Sequence, residues 1–125
     1  MKKEFVIGVT GASGVIYARR LLEVLCDRAT VHIVVSDTAR QIAGIEGVDL
    51  TGFDAIYAEN ENLAADIASG SFRYDGMAIV PCSMKTLAAV SNGLADNLIA
   101  RAADVCLKER RPLLLLLREK EEEEE

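Results

Sequence analysis

Four short apolar runs without a charged residue divide this chain, and between them the spacing of apolar residues changes to that of a helix. The runs are Phe5 to Thr10 (FVIGVT), Thr30 to Val35 (TVHIVV), Met77 to Val80 (MAIV) and Leu113 to Leu117. Runs this short, mostly rich in β-branched residues and bounded by glycine, serine, proline or arginine, read as buried strands. From Gly14 onward Ile16, Leu21, Leu22, Val24 and Leu25 recur at helical intervals, with Arg19, Arg20 and Glu23 between them. Ser36 and Asp37 offer cap chemistry for a second helix through Ala39, Ile42 and Ala43, and Ser83 for a third through Leu87 and Val90 that Gly93 stops. A fourth is expected from about Asn97 to Lys108, with Leu98, Ala102 and Val105 on one face.

Strands alternating with helices predict right-handed βαβ crossovers, hence an α/β fold: a Rossmann-like three-layer sandwich around a parallel sheet. Gly47 to Asn60 reads as a loop with a short extended piece at Ala55 to Ala58, and Glu61 to Ala68 as a short helix before the Ser69-Gly70-Ser71 turn. The leucine run is expected to be a strand buried on both faces, as in the middle of a parallel sheet. With only Arg118, Glu119 and a charged end after it, the strand is also expected at or near an open edge, which favours oligomers. One α/β domain over 1–119 and a disordered acidic tail over 120–125 complete the expected layout.

Composition removes several function classes. The net charge of −6 is mostly the terminal Glu121 to Glu125, so no basic face for nucleic acid is implied. Cys26, Cys82 and Cys106 are odd in number and widely spaced, which argues against a disulfide framework and a zinc site and for a reducing cytoplasm. The first residues lack the length of a signal h-region, and no apolar stretch has membrane-spanning length.

In an open parallel sheet ligands bind outside the carboxyl ends of the strands. Those segments here are Gly11-Ala12-Ser13-Gly14, Ser36-Asp37-Thr38, Pro81 to Thr86 and Arg118-Glu119. Small residues at the first turn let backbone N–H groups and Ser13 approach a phosphate at a helix N-terminus. Gly8, Gly11 and Gly14 fall as G-x-x-G-x-x-G, unlike the dinucleotide fingerprint, and no P-loop lysine follows, so a mononucleotide is the better expectation. The competing readings are a turn that needs glycine for its own sake and serines that only cap helices. Arg101 and Lys108, seven apart on one helix face, suit a second phosphate or simply a solvated face. His32 inside a strand is expected to be packed or edge-exposed, and Cys82 to be a small buried residue, since no local base is visible.

The segments VTGASGVIYARRLLEVL, VVSDTAR, IASGSF and PCSMKTLAAVSNGLADNLIARAADVCLKERRPLLLLLRE together resemble the flavin prenyltransferase (UbiX-type) family, formerly described as aromatic-acid decarboxylases. The resemblance runs from Phe5 to Glu119 and is most specific from Asn97 onward. It implies an FMN-binding enzyme, commonly a dodecamer, that needs no metal. Such an enzyme transfers a dimethylallyl group from dimethylallyl phosphate to flavin N5 and C6, and a UbiD-type decarboxylase uses the product. It also implies that Gly11, Ala12, Ser13, Ser36, Ser83, Thr86 and Arg101 hold FMN. Lys108 and Arg118 would bind the prenyl phosphate, and Ser13, Glu46 and Glu119 would serve proton transfer. Family members continue past the R-E pair with a helix, a strand and a helix that supply further phosphate ligands, so this shortened chain is expected to show little turnover alone. Two alternatives stay open: a flavin-dependent decarboxylase of the same fold, and an inactive flavin-binding fragment. Against the first, Pro81-Cys82-Ser83-Met84 departs from the P-x-M-N pattern of those decarboxylases.

Overall fold

The computed structural model describes residues 2–118. Glu119 and the 120–125 tail, with the expectations attached to them, lie outside the described residues. The strands are β1 (Lys3–Val9), β2 (Ala29–Val35), β3 (Ile56–Glu59), β4 (Gly76–Cys82) and β5 (Leu113–Leu117), and the helices α1 (Val15–Leu25), α2 (Asp37–Glu46), α3 (Met84–Ser91) and α4 (Leu98–Lys108). All strand pairs are parallel, in the order β3-β2-β1-β4-β5. The α/β three-layer reading is borne out.

Side chains alternate across the pleat, so each strand feeds both layers. Ile7, Val9, Val31, Ile33 and Val35 face α1 and α2, where they meet Val15, Ala18, Leu22, Ala39 and Ala43. Val6, Val34, Met77 and Ile79 face the other way, against Leu98, Ile99, Ala102, Ala103 and Cys106 of α4. Gly8 sets the spacing of that second layer: a Cβ there would stand 3.1 Å from Ile99 Cγ2, so the missing methyl lets α4 lie close on β1.

Three expectations need correction. The extended piece at Ala55 to Ala58 is a full sheet member, β3, shifted by one residue and paired with β2 from His32 to Val35. The helix expected over 61–68 reduces to a 3-10 turn at Asp66–Ala68. Eight residues with only Ile67 buried cannot repay helix nucleation, and Asn62 Oδ1 instead accepts from the Ala64 N–H in a local turn. The leucine strand is not in mid-sheet: β5 pairs with β4 alone, and Leu114, Leu116 and Leu117 are exposed. Its register shifts between Ile79 and Cys82, and its outer edge carries no pairing among the described residues. No helix among these residues is long and apolar enough to cross a membrane.

Candidate functional site

The strand order places a topological switch between β1 and β4. The chain leaves β1 toward the α1 layer and leaves β4 toward the α3 layer, so their carboxyl ends part and open a crevice. A cavity of about 570 Å3 occupies it. Its lining combines the hydroxyls of Thr10, Ser36, Thr38, Ser83 and Thr86 and the charged Asp37, Glu61, Lys85 and Asp96 with apolar Ala88, Ala89, Leu94 and Ile99. Such a volume and mixed lining suit a small ligand with both polar and apolar parts.

The helix starts that ring the crevice differ in one respect that decides where an anion fits. At α2 the Ala39 N–H donates to Ser36 Oγ at 3.1 Å, and at α3 the Thr86 N–H donates to Ser83 Oγ at 3.1 Å. The N-terminus of α4 is saturated. There the Leu98 and Ile99 N–H groups donate to the carbonyl and Oδ1 of Asn60, and the Ala100 N–H donates to Asn97 Oδ1. Only α1 has no side-chain cap, because its cap residue is Gly14 at φ 97° and ψ 25°, a left-handed conformation that glycine adopts without cost. Its first-turn donors are the natural partners of an anion.

Loop geometry keeps this end narrow. A Cβ on Gly11 would lie 2.6 Å from Thr38 Cβ and still nearer Thr38 Cγ2, so glycine is what allows the first turn of α2 to close on the loop. Ala12 is fully buried and its N–H donates to the Thr10 carbonyl at 2.9 Å. Arg118, leaving β5, reaches back over the loop: its guanidinium carbon stands 5.3 Å from the centre of the Tyr17 ring and Nη2 is 3.5 Å from Ser13 Oγ. Arg101 sits in the first turn of α4, next to Ala100 of the cavity wall, and its Nε is buried without a hydrogen-bond partner. A buried orphan donor on a cation calls for an anionic acceptor. Cys82, fully buried under the crevice, has its thiol pushed up to about 11 by burial, which fits the inert reading.

A Flavoprotein family model matches residues 1–121. The chain belongs to the Flavoprotein family. This flavoprotein is 46% identical over 115 residues to the flavin prenyltransferase UbiX of Methanocaldococcus jannaschii, a match that covers 89% of this chain and 62% of that relative. It superimposes on the crystal structure of AnUbiX in complex with FMN and dimethylallyl pyrophosphate with a TM-score of 0.89 at 40% identity, covering 99% of this chain and 69% of that one. Against the dodecameric FMN-dependent UbiX-like decarboxylase of Escherichia coli O157:H7 the TM-score is 0.87 at 40% identity, covering 93% and 67%. The resemblance to flavin prenyltransferases is borne out. The flavoprotein nonetheless spans only about 60% of the length of its curated relatives.

Of the residues singled out from the sequence, Gly11, Ser36, Ser83 and Thr86 line the crevice, Ala12 and Ser13 follow Gly11 in the same loop with Arg118 beside Ser13, and Arg101 follows the lining residue Ala100 in α4. The fold separates two others. Each helix runs antiparallel to the strand before it, so its last residue lies at the amino edge of the sheet. Glu46 ends α2 exposed, and Lys108 ends α4, exposed and paired with Asp104 at 3.0 Å. Seven residues share a helix face but also span two turns, roughly 10 Å along the axis, which carries Lys108 away from Arg101. Glu119 lies outside the described residues. His32 is packed as expected, with Nε2 2.6 Å from Glu4 Oε2 and its ring edge-on to Phe72. Sequence reasoning missed Thr10, Asn60 and Asn97. Asn97 was legible as an N-cap before an apolar periodic run, whereas Asn60 acts on a helix start 38 positions away and leaves no local signal.

Proposed function

We propose that residues 1–119 form the FMN-binding domain of a flavin prenyltransferase, which moves a dimethylallyl group from dimethylallyl phosphate to FMN for use by a UbiD-type decarboxylase. The observation that carries this reading is the crevice at the carboxyl ends of β1 and β4, lined by hydroxyls and by Ala88, Ala89, Leu94 and Ile99, with the Gly11 loop leading into the uncapped start of α1. The fit to a flavin mononucleotide is supported by the orphaned Arg101 Nε and by the space that Gly11 leaves open.

In this reading Gly11, Ala12 and Ser13 present the open start of α1 to the FMN phosphate, and Ser36, Ser83, Thr86 and Arg101 complete the cradle. Bound FMN supplies the nucleophilic ring positions that accept the allyl group. The side chains supply charge and position. Arg118, stacked toward Tyr17 and beside Ser13, places a fixed cation where an allylic phosphate leaves as an anion. Ser13 and Glu119 are the proton-handling groups nearest that cation in sequence or space. Lys108 and Glu46, at the far edge of the same copy, take no part in a site built by one copy alone. The chain assembles with further copies in this reading, and it works in the cytoplasm.

Titration of the purified chain with FMN, FAD and NAD tests the cofactor assignment, with FMN expected to bind most tightly; equal retention of NAD would refute it. Ser13→Asp is expected to abolish FMN binding, since it sets a carboxylate against a phosphate at a narrow turn. Binding equal to wild type would move the site elsewhere. Formation of prenylated flavin on adding dimethylallyl phosphate separates the transferase from a decarboxylase of the same fold.

A further inference from the structure

Among the described residues Thr10 and His32 are the buried polar side chains. His32 is accounted for by Glu4, whereas Thr10, 4% exposed, lies at the switch point itself. Its hydroxyl donates to the Pro81 carbonyl at 2.8 Å and accepts from the Ser83 N–H at 2.9 Å, so both of its roles are used across the β1–β4 gap. The neighbouring strand ends are tied differently. The Ser36 N–H donates to the Val9 carbonyl at 3.0 Å and the Arg118 N–H to the Cys82 carbonyl at 3.0 Å, both through backbone acceptors. At the switch the strands part, no β1 carbonyl reaches the Ser83 N–H, and a side chain takes over that acceptor's place.

We infer that Thr10 is the positioning residue of the flavin crevice, its hydroxyl fixing the Ser83-capped α3 start against the open α1 loop that receives the phosphate. The inference rests on the FMN reading above. Ser83 is anchored by Thr10 through its N–H and anchors α3 through its Oγ, so the Thr10 hydroxyl, beside the Thr10 N–H that donates to the Pro81 carbonyl at 3.2 Å, sets the position of the Ser83–Thr86 turn against the Gly11–Gly14 loop. No other side-chain bond joins β1 to β4 at this edge among the described residues. Thr10 touches the ligand cavity but acts through the two loops it ties.

Thr10→Val keeps the shape and removes the hydroxyl, and Thr10→Ser keeps the hydroxyl and removes the methyl. FMN affinity by fluorescence titration, thermal midpoint without ligand, and amide exchange at Ser83 are measured for both. Thr10→Val is expected to bind FMN about tenfold more weakly, with faster Ser83 exchange, and Thr10→Ser to bind within about twofold of wild type. A merely structural threonine would shift the midpoint and leave the affinity of the folded protein unchanged. Val binding like wild type, or Ser binding as weakly as Val, overturns the inference. If Val does not fold, Thr10→Cys reads the same loss, and wild-type affinity in Cys overturns it equally. Wild-type protein that binds no FMN refutes the cofactor reading and takes the positioning role with it, whatever the exchange data show.

Discussion

At the scale of single residues, backbone space and burial decide more than charge. Gly11→Ala must displace the first turn of α2, because its new methyl would meet Thr38 at less than any ordinary carbon contact. Overpacking of this kind costs about 1–3 kcal/mol, so a lowered urea midpoint together with weaker FMN binding is the expected result. A variant as stable as wild type would show that the loop yields freely. Cys82 gives a prediction in pH. Burial raises its thiol from 9.0 to about 11, so the folded state holds the neutral form longer than the unfolded chain does. Stability is therefore fully present below pH 9 and falls as pH rises from 9 toward 11. Tyr74, raised from 10.0 to about 12 chiefly by burial, acts in the same direction over a higher window. Urea midpoints measured across that range should fall, and fall less in Cys82→Ala; a flat profile would mean that the thiol is not buried.

At the scale of elements, α4 shows how a helix start can be specified from two places. Asn97 caps it locally and Asn60, at the end of β3, satisfies the two preceding donors. Asn97→Ala is expected to cost about 1 kcal/mol, the usual worth of a cap, and Asn60→Ala a similar amount through the Ile99 N–H. Because both bond the same turn, the double variant should depart from additivity, and a denaturant series on the three proteins measures it. The caps at Ser36 and Ser83 were legible because a hydroxyl directly precedes an apolar period, and the same signal stood, unused, at Asn97. The 61–68 helix was misread for the opposite reason. Its period is helical, but Asn62 and the burial of Ile67 alone leave it nothing to pack.

For the whole molecule, the exposed apolar surface of β5 is the feature with the largest consequence. Leu114 is 61% exposed and lies beside a groove of about 410 Å3 lined by Phe5, Ile7, Leu21, Leu25 and Met77. Contiguous apolar surface next to a strand edge that has no pairing among the described residues favours self-association. The chain as given is expected to sediment as more than a monomer, and Leu114→Lys with Leu116→Lys should shift it toward one. Wild-type protein that is monomeric at high concentration would contradict this.

The sequence by itself determined the class of the fold, because strand and helix periods and cap chemistry are properties of a few consecutive residues. It also determined which loops share the edge where the crevice opens, since the carboxyl ends of parallel strands lie on one edge whatever their order. Tertiary structure alone decided the order β3-β2-β1-β4-β5 and with it the crevice. It also decided that the leucine strand sits at the edge and that Lys108 and Glu46 lie at the opposite end from Arg118. It assigned Thr10 its partners at separations of 71 and 73 positions and Asn60 its partners at 38 and 39, where no local pattern reaches. Strand pairing joins residues far apart in the chain, so the energy that ranks one order over another is written in contacts that only the folded chain makes.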